Sequence, residues 1–222
     1  MSTRPTVLES VITAAVLAVS GAAQAGPPTV YTSLAAFTAA TTAQGTDTFA
    51  GFSVTGTTPS PITRTAGAYG YTATSSTGTF FGAGTAGNPW LSTDAATDTI
   101  TFASFTGGVS AIGGNFFGSD IAGSFLAGNI MVSLTDANGV FTQTIINPTT
   151  SFFLGFVSDG GLSSLSISAV QPASTVLWPT VDNLVLAKGV TTVPAIPEPQ
   201  TCALMLAGLA ALGVIARRRK AG

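Results

Sequence analysis

The fold is most restricted by a series of short runs in which apolar and polar residues alternate. Asp98-Thr99-Ile100-Thr101-Phe102 is one such run, Gly128-Asn129-Ile130-Met131-Val132-Ser133-Leu134 a second and Val140-Phe141-Thr142-Gln143-Thr144-Ile145 a third. Leu162 to Ile167 and Val181 to Leu186 follow the same pattern, and Ser151 to Val157 is more continuously apolar. A period of two turns one side of a strand toward a core and the other toward water. Between the second and third runs, Asp136-Ala137-Asn138-Gly139 has the composition of a tight hairpin turn. Such runs, with Gly, Asn and Pro between them, predict an all-β chain folded over residues 26–189 as an antiparallel β-sandwich. Gly107-Gly108 and Gly113-Gly114 mark expected bulges or bends. No internal repeat is visible, which argues against a solenoid. Ahead of the strands, Ser33 is placed to cap a short helix that would bury Leu34 and Phe37.

Charge narrows the functions open to such a body. Charged residues make up 7% of the chain, against ~25% in an ordinary soluble domain. Few charges with much Gly, Ser and Thr point to an extracellular β-rich protein, and the 14 Phe supply a core that disordered chains lack. Between Gly26 and Ile196 the basic residues are Arg64 and Lys188, against Asp47, Asp94, Asp98, Asp120, Asp136, Asp159 and Asp182. An acidic body with two cations cannot neutralise a run of phosphates, so no nucleic-acid partner is expected. The one cysteine, Cys202, lies near the C-terminus, so the body must be held by its own core without an internal disulfide.

The chain contains no His, which excludes Ser-His-Asp and Cys-His catalysis and zinc sites built from His and Cys. The body also lacks Glu, so a glycosidase pair would have to be two Asp. Asp94 and Asp98 are close in sequence and Asp120 and Asp159 fall in expected loops, but no spacing singles them out. They read as solvated turn aspartates, and the chain reads as a non-enzyme without a cofactor. A structural calcium held by Asp182-Asn183 with Asp136 and Asn138 is the alternative. Sugar contact calls for exposed aromatics, for which Trp90, Trp178, Tyr69 and Tyr71 are the candidates, with core packing as the competing use of each. The many Thr residues form no long Thr-x-Thr series, which argues against ice binding.

Both ends carry membrane-directed features. Residues 1–25 read as a secretory signal peptide: Arg4, an apolar run from Val11 to Val19, then Ala23-Gln24-Ala25 as the cleavage site. The run is shorter than the ~20 apolar residues of a bilayer span. Residues 201–216 are uncharged and read as a short C-terminal transmembrane helix. At ~1.5 Å per residue they reach about 24 Å, slightly short of a ~30 Å hydrocarbon core. The basic tail, residues 217–222, with Arg217, Arg218, Arg219 and Lys220, would stay cytoplasmic and leave the body on the other side of the inner membrane. Residues 190–200 form a Pro-rich linker containing Pro197-Glu198-Pro199. The two prolines fix φ and keep the linker extended and out of the helix.

Pro197-Glu198-Pro199, the apolar run and the basic cluster, in that order at the C-terminus, resemble the PEP-CTERM sorting domain of Gram-negative bacteria. The resemblance covers roughly the last 27 residues. It implies an exosortase as partner, transient anchoring in the inner membrane, tail cleavage, and delivery to the cell surface or the extracellular matrix. The body is also similar to those of many PEP-CTERM proteins, in the early Tyr31 to Phe37 helix, in Phe152-Phe153-Leu154-Gly155-Phe156 and in Asp182-Asn183-Leu184. What that likeness implies is a jelly-roll-like sandwich of the kind used by carbohydrate-binding modules. Two roles follow as expectations: a non-enzymatic surface or matrix protein, serving in biofilm or envelope structure, or a carbohydrate-binding module or adhesin acting on exopolysaccharide.

Overall fold

The computed structural model describes residues 26–190 and 205–209, and the alternating runs pair there into two antiparallel sheets. The first sheet contains β1 (Thr29–Tyr31), β2 (Thr41–Asp47), β3 (Thr57–Pro59), β6 (Thr79–Thr85), β7 (Asn88–Thr93), β9 (Ala111–Ser119), β12 (Phe153–Val157) and β14 (Trp178–Gly189). Its order is β1-β12-β9-β14-β7-β6-β3, with β2 also pairing β14. The second contains β4 (Ile62–Ala66), β5 (Tyr69–Ser75), β8 (Thr99–Ala103), β10 (Ile130–Asp136), β11 (Gly139–Ile145) and β13 (Leu162–Ala169), in the order β11-β10-β13-β8-β5-β4. The expected hairpin is present, with Asp136 opposite Gly139.

One core fills the space between the sheets, drawing Tyr71, Ile100, Phe102, Val132 and Leu165 from the second and Phe80, Leu91, Phe116, Phe156 and Leu184 from the first. Burying one such side chain contributes roughly 1.5–3 kcal/mol. This is the antiparallel sandwich that the alternation predicts. Strands β2 to β7 were not among the runs read from sequence; they are rich in Thr, Ser and Gly, and apolar period-two patterning is weak in them. Gly45 of β2 shows why glycine is tolerated in a strand here: a Cβ on it would stand 2.0 Å from the Ala66 carbonyl oxygen, so two strands cross where no side chain fits.

The bulge forms opposite the glycines rather than at them. Gly113 and Gly114 keep regular register with β12, whereas β14 shifts against β9 between Asp182 and Val185. Gly107 and Gly108 lie between β8 and β9, both with positive φ. Helix α1 (Leu34–Ala39) buries Phe37 as expected, but Leu34 is half exposed, because a six-residue helix seats only one side chain on the sheet.

Thr29, Val157, Ala111 and Ala187 are successive register partners across the first sheet. They span three strand spacings, about 14 Å. The described domain therefore begins and ends at one rim, with Ser119 and Trp178 at the opposite one. Residues Met205–Leu209 are helical and exposed. Among the described residues no helix is long and apolar enough to cross a membrane. The expected signal peptide with Ala23 and Ala25, the linker motif Pro197-Glu198-Pro199, most of the 201–216 segment and the cluster Arg217 to Lys220 lie outside the described residues.

Candidate functional site

The candidate site lies on the outer face of the first sheet, where α1 covers one end and leaves the middle open. Ser33 begins the helix, its carbonyl accepting from the Phe37 N–H at 3.0 Å and its hydroxyl from the Ala36 N–H at 3.5 Å. Phe37 packs on Ala111, Phe153, Val185 and Ala187, with its ring 5.3 Å from that of Phe153. The Phe152-Phe153-Leu154-Gly155-Phe156 run now has a physical account. Phe153 faces the helix, while Leu154 and Phe156 enter the main core. A Cβ on Gly155 would stand 2.6 Å from the Phe37 ring, so the helix seats only on glycine.

Beside the helix, the β14 bulge turns two consecutive side chains into a polar network. Asn183 sits in the left-handed region at φ 50°, a conformation that Asn tolerates better than most residues. Its backbone N–H donates to Asp182 Oδ1 at 2.7 Å and its Nδ2 donates to Asp182 Oδ2 at 3.0 Å. Asn183 Nδ2 also reaches Asn115 Oδ1 at 3.1 Å, and Asn115 Nδ2 donates to the Phe152 carbonyl at 3.1 Å. Asn88 Nδ2 donates to Asp182 Oδ2 at 3.3 Å. Burial pushes the Asp182 carboxyl above its ordinary value, against the opposing pull of Asn88 and the Asn183 N–H.

This network borders a cleft of about 880 Å³. Thr32 and Ser33 line it from the turn before the helix, Thr38 from the helix, Gln44 and Thr46 from β2, and Thr149 to Phe153 from the segment entering β12. Asn115, Asn183 and Val185 are the contribution of the central strands, Leu34 adds a second aliphatic side chain, and no lining residue is charged. Among the described residues, Asn183 Oδ1 has no hydrogen-bond partner and Asn115 Nδ2 donates once, so each can serve a ligand. Hydroxyls and amides interspersed with Leu34, Phe152, Phe153 and Val185 around a neutral cleft suit an uncharged ligand with both hydroxyl and apolar faces, because an ion would lose hydration without a counter-charge.

The sequence-predicted candidates fall elsewhere or serve the fold. Trp90 is half-buried, edge-on to Phe117 at 4.9 Å, with its Nε1 buried and unpartnered. Trp178 donates from Nε1 to the Asp94 carbonyl at 3.2 Å and borders a hollow of about 210 Å³ with Phe81 and Ile121. Tyr69 and Tyr71 are core residues. The reading of the aspartates as solvated needs correction. Asp94 and Asp159 are exposed and Asp120 closes a turn through the Ala122 and Ser124 N–H groups, but Asp47, Asp98, Asp136 and Asp182 are buried.

Each buried carboxylate is hydrogen-bonded within the fold. Ser75, Ser76 and Thr77 donate to Asp98, and Ser158 and the Asn138 N–H donate to Asp136. Asp47 accepts from Arg64 Nε and Nη2, from the Tyr71 hydroxyl and from the Phe49 N–H, all at 2.7 Å. Burial raises the Asp47 carboxyl, but the Arg64 and Tyr71 bonds outweigh it and hold the group below its ordinary value. This latch ties β2 of the first sheet to β4 and β5 of the second. Asp136-Asn138 and Asp182-Asn183 have separate partners and are not joined in one network. Among the described residues no three His, Cys, Asp or Glu side chains are grouped to hold a metal.

Sequence reasoning missed Asn88, Asn115 and Gln44. Asn115 meets Asn183 across 68 positions of chain, and the only local signal was the Gly113-Gly114 pair before it. No curated protein matches the chain. Residues 195–220, a span that contains Pro197-Glu198-Pro199 and Arg217 to Lys220, match the family model of the PEP-CTERM protein-sorting motif. The chain thus carries a PEP-CTERM sorting tail, the mark of an exported protein processed by an exosortase.

Proposed function

We propose that this protein is a non-enzymatic component of the cell surface or extracellular matrix of a Gram-negative bacterium, delivered by exosortase processing of its tail. The observation that carries the reading is the sorting motif at residues 195–220. The bonding of the buried carboxylates supports the non-enzymatic part, since each is engaged by hydroxyl, amide or guanidinium partners within the fold. In this reading the tail holds the chain in the inner membrane until cleavage, with Glu198 offering a charge to the processing enzyme. The test is to produce the full chain in matched hosts with and without an exosortase. Loss of the tail and release to the surface only in the first is expected. Full-length chain retained in the membrane of both hosts would contradict the proposal, and unchanged processing of Glu198→Ala would remove the recognition role of that residue.

A second reading is favoured by the cleft: the sandwich binds carbohydrate of the exopolysaccharide. Its support is a volume of about 880 Å³ lined without charge, with Asn115 and Asn183 at its edge. The mature protein on an array of neutral glycans should bind at least one, and Asn183→Ala should weaken that binding. Binding that survives Asn183→Ala and is abolished by Trp178→Ala would move the site to the opposite rim.

A further inference from the structure

Five strands pair on one side only, and four of them carry features that block pairing with another chain; β2 carries Asp47, bound to Arg64, and β14 shifts register against it between Leu186 and Lys188. β1 has three residues and follows Pro27-Pro28. β3 has three residues and contains Pro59. β4 follows Pro61 and carries Arg64, which is bound to Asp47 of β2. Short length, proline and charge are the devices by which sheets avoid edge-to-edge association.

β11 has none of them. It runs for seven residues, Gly139–Ile145, without proline, charge or a register shift against β10. Its two-residue hairpin makes Asp136 and Gly139 a hydrogen-bonded pair, so Phe141, Gln143 and Ile145 also bond to β10. The N–H and C=O groups of Val140, Thr142 and Thr144 therefore point away from the sheet. Val140 is 70% exposed, and Ile146, which directly follows the strand, is 66% exposed.

We infer that β11 pairs antiparallel with β11 of a second copy about a two-fold axis at Gln143, joining two six-stranded sheets into one. The strand is its own complement in that register. Val140 of each copy faces Ile146 of the other, and Thr142 faces Thr144, so the exposed apolar side chains cover each other. Val140, Thr142 and Thr144 carry the outward backbone groups that the ladder requires, and Ile146 follows them at the bend that ends β11. With no charge on the edge, nothing selects a different partner or repels an identical one. The interface is isologous and closes at two copies. A single pair of short strands is small beside a stable dimer interface, so the association is weak and counts where copies are concentrated, as on a surface. This inference is independent of what the cleft binds.

The test is sedimentation velocity on the full chain in detergent, from micromolar to millimolar concentration. A concentration-dependent monomer–dimer equilibrium is expected. Val140→Lys and Ile146→Glu alone should each weaken it at least about ten-fold. The double variant Val140→Lys/Ile146→Glu sets opposite charges across the join and should regain association. Thr142→Pro, which removes an outward N–H and the exposed hydroxyl contact to Ser133 but no ladder bond to β10, should weaken it while the thermal midpoint stays near that of Thr142→Ala. A parent that stays monomeric throughout, or a dimer indifferent to all three single changes, overturns the inference. A double variant no stronger than the singles overturns the register.

Discussion

In the six-stranded sheet β10 buries every second residue, whereas eight of the nine residues of β9 in the eight-stranded sheet are buried. The difference is what lies outside each sheet. The second sheet turns Thr74, Thr101, Ser166, Ser133 and Thr142 to solvent as one register row. The first is overlaid by α1 at one end, and near the other by the segment of Gly123, whose carbonyl accepts from the Gly84 N–H at 2.9 Å. A sheet covered on both faces can hold a bulge and a left-handed Asn, because neighbours fix the strained geometry from both sides. The sheet with one wet face keeps its register through the alternation itself and shifts only at the Thr135–Asp136 end of β10 against β13. The cleft therefore belongs to the irregular sheet.

Substitutions at four positions would break or sharpen that contrast, taken from the largest expected effect down. Phe37→Ala removes the side chain that seats α1 and should cost about 4 kcal/mol in urea unfolding, as large-to-small changes at fully buried aromatics do. A loss below about 1 kcal/mol would mean that the outer layer is not part of the cooperative fold. Asp47→Ala should cost about 3 kcal/mol, the low end for breaking a buried pair, because the Arg64 side chain is 21% exposed.

Asp47 also sets a pH dependence. Its native pKa is depressed, so its contribution is present above the ordinary carboxylate pKa and is lost as pH falls through the native value. Asp182 is raised and acts with the opposite sign: its contribution is present at pH below the unfolded value and is lost as pH rises through the native one. Thermal midpoints against pH for Asp47→Asn should lose the acid limb that the parent shows. Asn183→Ala should cost about 2 kcal/mol, from losing a side chain that favours the left-handed region and from lost hydrogen bonds. Asn183→Gly should recover about half of that by relieving the backbone alone. Thr101→Ala, on the wet face, should stay within about 0.5 kcal/mol of the parent in the same assay.

The regular sheet was the more legible one. β8, β10, β11 and β13 were read from period-two patterning, because each has one dry face and apolar residues mark it. In the first sheet β12 is visible as an apolar run and the centre of β14 as an alternating one, but β2, β3, β6, β7 and β9 are not, since glycines such as Gly45 sit where backbones meet and supply no pattern. The site was legible in fragments. Asp182-Asn183 stands out as a pair, and the helix and the Gly155 run as loose motifs. That they assemble around Asn115 depends on long-range register, which no local window carries.

The strand that leads into the tail is also the longest, twelve residues, and it lies inside the first sheet, against β9 on one side and β7 and β2 on the other. Antiparallel ladder bonds run perpendicular to the strands. A load applied at the C-terminal end of β14 is therefore carried in shear, with many rungs strained together, where the same load on an edge strand would unzip them one at a time. A protein held to its surroundings through that end grips by its mechanically strongest strand.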